Sequence, residues 1–88
     1  MNRQIIMYTT RWCSDCHRAK YFLDEHGIDY IDIDVEKDEA GMIFVKKING
    51  GRRVVPTIIF PDGELLVEPA NAVLAAKLGV EDEADFEW

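Results

Sequence analysis

The only two cysteines of the chain stand two residues apart, in Arg11-Trp12-Cys13-Ser14-Asp15-Cys16-His17. An apolar, β-compatible run, Ile5-Ile6-Met7-Tyr8, precedes them, and a stretch of helical periodicity follows. A Cys-x-x-Cys pair at a strand-to-helix junction holds two sulfurs close enough to form and break a disulfide with little backbone movement. The positive end of the helix also favours a thiolate on the first cysteine, Cys13. Whatever the chain folds into must therefore set a short strand against a helix and leave the turn between them accessible.

The rest of the pattern extends this unit. Ile5 to Thr9 reads as a short buried strand. From Ser14 onward, Ala19, Phe22, Leu23 and His26 fall at i, i+3, i+4 and i+7, with Gly27 as the stop. Tyr30 to Val35 alternates apolar and acidic residues as far as Asp34, which marks a second strand. A second helix is expected from about Lys37 to Ile48, with an apolar stripe of Ala40, Ile43, Phe44 and Ile48, terminated by Asn49-Gly50-Gly51. Pro56 interrupts the β-branched run from Val54, so the third strand is Thr57 to Phe60. Pro61-Asp62-Gly63 then turns the chain into a hairpin partner, Glu64 to Val67. Pro69 suits the first turn of a last helix, Ala70 to Leu78, stopped by Gly79. The order β-α-β-α-β-β-α is that of a small α/β sandwich with a mixed, four-stranded sheet flanked by three helices.

At 88 residues the chain holds one domain with a modest core, and 48% hydrophobic residues suit a globular protein. The formal net charge is −7, but Glu81, Asp82, Glu83, Asp85 and Glu87 carry five of those charges, so residues 1–80 bear only −2. The organisation expected is a domain over 1–80 and a flexible acidic tail over 81–88, whose Phe86 and Trp88 are read as idiosyncratic, with docking on a partner as the alternative. Nucleic-acid binding needs a basic footprint that this balance does not supply. No apolar run is long enough to cross a bilayer, and Met1-Asn2-Arg3-Gln4 has no features of an export signal. A cytoplasmic, reducing setting is expected, in which a close cysteine pair reads as redox-active and not as a staple.

Three other readings of the cysteines compete with thiol–disulfide exchange. Cys-x-x-Cys-His matches a haem-attachment pattern, with Met7 or Met42 available as a distal ligand, but such folds are mostly helical and are assembled after export. Zinc would draw on Cys13, Cys16, His17 and His26, yet structural sites usually pair two such knuckles, and His17 projects about 100° from Cys16 on a helix. Two inert buried cysteines would leave their place at the loop–helix junction unexplained. Thiol–disulfide exchange is the reading with the most support, and no metal site is expected.

Tyr8 through Cys16, followed by Ala19-Lys20 and then by Gly50-Gly51-Arg52-Arg53-Val54-Val55-Pro56-Thr57, resembles the glutaredoxin family, and within it the mycoredoxin-like, actinobacterial-type members. The likeness covers residues 4 to about 79. It implies a thioredoxin fold, a cis Val55-Pro56 bond, and a Val55 backbone set opposite the cysteines, where it would pair with a substrate strand. It also implies reduction of protein disulfides or mixed disulfides by a Cys13/Cys16 dithiol. No cofactor would be tightly bound. A low-molecular-weight thiol, mycothiol or glutathione, would serve as reductant, and a flavoprotein disulfide reductase would act directly or through that thiol. A monomer is expected. Two alternatives remain at this point: a dedicated electron donor to one reductase, fed by thioredoxin reductase, and an iron–sulfur or metal carrier.

Two departures from the family pattern bear on the reductant. Glutathione-dependent members typically carry a lysine three residues before the first cysteine, where this chain has Thr10. They also carry a Gly-Gly turn and an acidic or hydroxyl residue after the fourth strand, where this chain has Val67-Glu68-Pro69-Ala70-Asn71. Pro69 lacks an N–H and Glu68 repels a carboxylate.

Within the resemblance, Cys13 is the nucleophile and Cys16 the resolving thiol one turn further on. Trp12 would form an apolar platform beside Cys13, with core packing as its alternative. Arg11, Arg52 and Arg53 would attract an anionic thiol, and Val55 and Pro56 would form the substrate ledge. Asp15 stands where the resemblance leads one to expect an aromatic or small residue, and would tune Cys13 or merely face solvent; Lys20 would tune the thiols, with a salt bridge as its alternative. His17 is expected to face solvent and His26 to pack partly buried.

Overall fold

Ile5, Met7 and Thr9 point to one face of a strand while Ile6 and Tyr8 point to the other, and this alternation organises the molecule. The computed structural model describes residues 4–81. Strand β1 (Ile5–Thr9) is followed by helix α1 (Ser14–Glu25), β2 (Tyr30–Asp34), α2 (Glu39–Ile48), β3 (Thr57–Ile59), β4 (Leu65–Val67) and α3 (Asn71–Leu78). The sheet runs β2-β1-β3-β4. Strand β1 pairs parallel with β2 and antiparallel with β3, and β3 pairs antiparallel with β4. A parallel pair needs a crossover, which α1 provides, whereas the antiparallel β3–β4 pair needs only a tight turn. Gly63 makes that turn at φ +91°, a conformation that costs a residue without Cβ little.

One face of the sheet packs under α1 and α3. There Ile5, Met7, Ile58 and Phe60 meet Ala19, Phe22 and Leu23 of α1 and Leu74 and Ala75 of α3 in a single buried cluster. Each large aliphatic side chain fully removed from water in this cluster contributes about 1.5–3 kcal/mol. The other face packs under α2. The rings of Tyr8 and Phe44 lie 5.0 Å apart, and Gly41 comes so close to the sheet that a Cβ there would sit 3.1 Å from Cγ2 of Ile33.

This close approach corrects the expected face of α2. Gly41 and Val45 are its buried residues, while Ala40 is exposed and Ile43 is 60% exposed. The helix also starts two residues later than expected, because Asp38 takes the N-cap and its carboxylate accepts from the N–H of Gly41 at 2.8 Å. Pro69 likewise precedes α3 and lies outside its first turn, with Ala70 at the N-cap. The acidic segment from residue 82 onward, expected as a flexible tail, lies outside the described residues.

Candidate active site

Helix α1 begins at a cysteine. Cys13 occupies its N-cap in an extended conformation, and Sγ of Cys13 accepts a hydrogen bond from the backbone N–H of Cys16 at 3.0 Å. N-caps satisfy the otherwise orphaned N–H groups of the first turn, and here the acceptor is a sulfur. The two thiols are free, and their surroundings differ. Cys13 is half-buried, whereas Cys16, i+3 on the inner face of the helix, is fully buried. Burial, reinforced by a hydrogen bond to Cys13, pushes the Cys16 thiol up to about 12, against the smaller opposing pull of the Thr10 backbone and the Lys20 ammonium.

The segment leading into β3 faces Cys13 from across the site. The Val55-Pro56 bond is cis, as the resemblance implied, and Pro56 is buried. The carbonyl of Val55 lies 3.7 Å from Sγ of Cys13, while no acceptor for the Val55 N–H is found among the described residues. Two side chains hold this segment in place. The buried hydroxyl of Thr57 donates to the carbonyl of Val54 at 2.7 Å, and the amide of Asn49 reaches the carbonyl of Val45 at 2.8 Å and the Thr57 hydroxyl at 3.4 Å.

The remaining expected residues divide between those at the thiols and those committed elsewhere. Trp12 is 79% exposed, so it stands beside Cys13 in solvent and takes no part in the core. The guanidinium of Arg11 lies 5.2 Å from the centre of its ring. Arg53 pairs with Glu36 at 3.3 Å. Lys20 bonds Asp32 at 2.6 Å, and the other oxygen of that carboxylate accepts from the Thr9 hydroxyl, also at 2.6 Å. Asp15 is exposed and pairs with Arg18 at 3.5 Å. His26 lies partly buried against Phe22, ring centres 4.5 Å apart.

Four contacts at the site carry no signal in the local sequence. The ring Nε2 of His17 meets the carbonyl of Arg11 at 2.9 Å, tying the loop before Cys13 to the helix after it. Arg18 donates to the side-chain oxygen of Asn71 at 2.7 Å and to the carbonyl of Pro69 at 3.2 Å, and so fixes the β4–α3 loop against α1. The N–H of Glu68, a residue at φ +51°, donates to the carbonyl of Pro56 at 2.8 Å. Among the described residues, no group of three or more His, Cys, Asp or Glu side chains is placed to hold a metal ion, and no helix is long and apolar enough to cross a membrane.

The chain is similar to known proteins in both sequence and fold. The glutaredoxin family model matches residues 5–66. A Mycobacterium tuberculosis protein assigned as a glutaredoxin is 42% identical over 74 residues, covering 84% of this chain and 88% of that protein. Mycoredoxin 1 of Corynebacterium glutamicum is 38% identical over 74 residues, covering 84% of this chain and 91% of its own length. Among solved structures, the glutaredoxin from Methanosarcina mazei Go1 superposes with a TM-score of 0.71 at 25% identity, over 86% of this chain and 78% of that one. A variant of a thioredoxin-like protein does so with a TM-score of 0.78 at 26% identity, over 92% of this chain and all of that one. The chain belongs to the glutaredoxin family and is a thiol–disulfide oxidoreductase of thioredoxin fold.

Proposed function

We propose that this oxidoreductase reduces protein disulfides or mixed disulfides with Cys13 as nucleophile and Cys16 as resolving thiol, and draws its electrons from a small thiol. The observation that carries this assignment is the contrast between the two sulfurs. Cys13 caps the helix at the surface, and Cys16 is fully buried with its thiol pushed up to about 12.

The cycle follows from that contrast. The Cys13 thiolate attacks one sulfur of the substrate, the substrate S–S bond breaks, one thiolate departs, and a Cys13–substrate disulfide forms. Cys16 then attacks Sγ of Cys13 as its proton passes to the departing substrate sulfur, which closes the Cys13–Cys16 disulfide and releases the second substrate thiol. Two electrons from two small thiols, or from a flavoprotein disulfide reductase, restore the dithiol. Val55 offers the backbone edge along which an extended substrate lies. Trp12 gives an apolar surface beside the nucleophile, while Asp15 and Lys20 add charge near the two thiols. The pairing of Asp15 with Arg18 at 3.5 Å softens the opposition of its carboxylate to a neighbouring thiolate.

The reductant best supported is mycothiol, a thiol without free carboxylates. Where a carboxylate would need backbone donors, Pro69 has none, the Glu68 N–H is taken by Pro56, and the exposed Glu68 side chain repels an anion. The name of the Corynebacterium relative, mycoredoxin, points the same way. The protein acts as a monomer in the cytoplasm on this reading. A reductant screen tests it: mycothiol with its reductase, glutathione with its reductase, and thioredoxin reductase with NADPH, each driving reduction of a mixed disulfide. Efficient turnover with mycothiol and weak turnover with glutathione is the expected result. Saturable, tight turnover with glutathione would overturn the choice of thiol, and turnover with thioredoxin reductase alone would instead assign the protein as a donor fed by that enzyme.

A further inference from the structure

Strand β4 forms one edge of the sheet, and one end of that edge lies beside the site. The bonds that flank its pairing with β3 show which of its residues turn inward. The N–H of Phe60 donates to the carbonyl of Glu64 at 2.9 Å, and the N–H of Glu68 to that of Pro56 at 2.8 Å. Antiparallel ladders alternate between residues that exchange both bonds with the partner strand and residues that turn both groups away. Glu64, Leu66 and Glu68 therefore face β3, while Leu65 and Val67 direct their N–H and C=O groups outward. No partner for those four groups is found among the described residues. Pro56, which holds the Glu68 end, adjoins the Val55 carbonyl that faces Cys13.

The side chains along this edge divide by face. Leu66 packs against the core under α1 and α3, whereas Leu65 and Val67 lie on the α2 face, 38% and 41% exposed. Leu65 ends an aliphatic row, Ile31, Ile6, Ile59 and Leu65, whose members stand side by side across all four strands. Charge brackets the apolar pair. At the turn, the carboxylates of Asp62 and Glu64 share the Lys77 ammonium at 2.5 and 2.6 Å, which leaves one negative charge in excess. At the other end, Glu68 makes no ion pair among the described residues. Arg18, bonded to the neighbouring Pro69 carbonyl, is offset by Asp15 at 3.5 Å. Lys46 and Lys47 belong to α2, on the opposite face from the Glu64–Lys77 pair, and make no ion pair with either glutamate.

These charges decide what can pair with β4. Two copies would engage all the outward groups of both edges with Leu65 opposite Val67 of the second copy. That register sets Glu64 directly against Glu68 of the second copy, and like charges directly opposite destabilise a strand pair. The other sheet edge, β2, carries Asp32 and Asp34, and the chain beyond Glu81 carries Asp82, Glu83, Asp85 and Glu87, so both have the wrong charge. A strand with apolar residues opposite Leu65 and Val67 and basic residues opposite Glu64 and Glu68 satisfies edge, face and charge together. Building on the proposed reduction of protein disulfides, we infer that β4 is a docking edge for substrate proteins, which pair with it through an extended segment of basic-apolar-x-apolar-basic pattern.

Two measurements test this. The first is an NMR titration of the reduced, isotope-labelled protein with the capped peptide Lys-Val-Thr-Val-Lys. Shifts should concentrate at Leu65 and Val67, and their N–H groups should exchange more slowly with solvent. Val-Lys-Thr-Lys-Val has the same composition and charge and should bind about three- to ten-fold more weakly. Methylation of both valine nitrogens, whose N–H groups would face β4, should abolish binding, whereas methylation of the threonine nitrogen, which faces away, should not. Shifts confined to other surfaces, equal binding of the two orders, or binding that survives valine methylation would each overturn the docking edge.

The second measurement adds a reacting disulfide. In an antiparallel pairing the N-terminal end of the segment lies at Glu68, so a cysteine is attached there through a flexible Gly/Ser spacer, as a mixed disulfide with thionitrobenzoate. Thionitrobenzoate is the better leaving group, so Cys13 takes the peptide sulfur, and release of the chromophore reports the rate. Docking raises the local concentration of the disulfide at Cys13. The Lys-first peptide should therefore reach half-maximal rate at about three- to ten-fold lower concentration than the Val-first peptide, with similar maximal rates. Equal half-saturation, with release still dependent on Cys13, would overturn the docking of substrates on β4 and leave the proposed function standing. Release that persists in Cys13→Ser would instead overturn the proposed nucleophile, on which the NMR result does not depend.

Discussion

The backbone N–H of Cys16 donates to Sγ of Cys13 at 3.0 Å, so the helix that buries the second cysteine caps itself on the first. The two sulfurs are thereby held in a fixed relation before any substrate arrives. This preorganisation suits exchange chemistry, in which the second thiol must reach the first without a large rearrangement.

From this relation follows a division between two variants. Cys16→Ser keeps the accessible sulfur and should accumulate a stable protein–substrate mixed disulfide, visible as a mass increase under non-reducing conditions. Cys13→Ser should lose exchange by at least about 100-fold, since the remaining thiol is both buried and protonated at neutral pH. First labelling of Cys16 by a limiting alkylating agent would reverse the assignment.

The high Cys16 value also predicts a pH dependence of stability in the reduced protein. The thiol rises from an ordinary 9.0 to about 12 on folding, so the folded state holds its proton more tightly than the unfolded chain. The associated stability is complete below about pH 9 and is lost as the pH rises toward 12. Burial also raises the phenols of Tyr8 and Tyr30, and these contribute a loss of the same sign in the alkaline range. Urea unfolding of the reduced protein at pH 8 and pH 10.5, beside Cys16→Ala, isolates the cysteine: the alkaline loss should be smaller in the variant.

Lys20 should act on the second step of the cycle. Its ammonium, held by Asp32 at 2.6 Å, favours the Cys16 thiolate. Lys20→Met should therefore lengthen the life of the mixed disulfide by about three- to ten-fold while changing its formation less. Quenched-flow mass spectrometry of a single turnover separates the two rates. The pair is partly exposed, so the stability cost should stay below about 1 kcal/mol.

Thr57→Val should couple stability to the site. The hydroxyl of Thr57 is the donor to the Val54 carbonyl, and valine keeps the shape while leaving that acceptor unsatisfied. A cost of about 1–3 kcal/mol in urea unfolding is expected. Exchange should also slow well below the unfolding transition, because the segment that carries Val55 is less firmly held. An unchanged rate in the folded variant would mean that Pro56 and Glu68 position that segment without help from Thr57.

Much of this architecture was legible because apolar residues repeat with periods that identify the elements. The continuous apolar run from Ile5 marks strand β1, and the spacing of Ala19, Phe22 and Leu23 corresponds to a buried helix face. The face of α2 was not legible for a specific reason. Ala40, Ile43, Phe44 and Ile48 fit a helical stripe, but the sheet needs the smallest residue where Ile33 and Tyr8 come closest, and Gly41 gives no hydrophobic signal. At the site, Cys13, Cys16 and Val55 could be expected from their motifs. The supports could not, because Arg18 and Asn71 are 53 residues apart and Thr9 and Asp32 are 23 apart. Such pairs are brought together only by the topology. Arg53 shows the converse: its placement in the motif suggested an anion anchor, and its ion pair with Glu36 depends on where β2 ends.

The complete burial of Cys16 gives the proposed cycle a single point of entry. Every electron pair arriving from a reductant and every pair leaving for a substrate would pass through the same surface sulfur, so donor and acceptor could never be served at once. Turnover would alternate between two half-cycles, and parallel lines in double-reciprocal plots would be its kinetic signature. Either reactant in excess would compete for the form of the protein meant for the other. The rate in a cell would then depend on the ratio of the two pools as much as on the abundance of either.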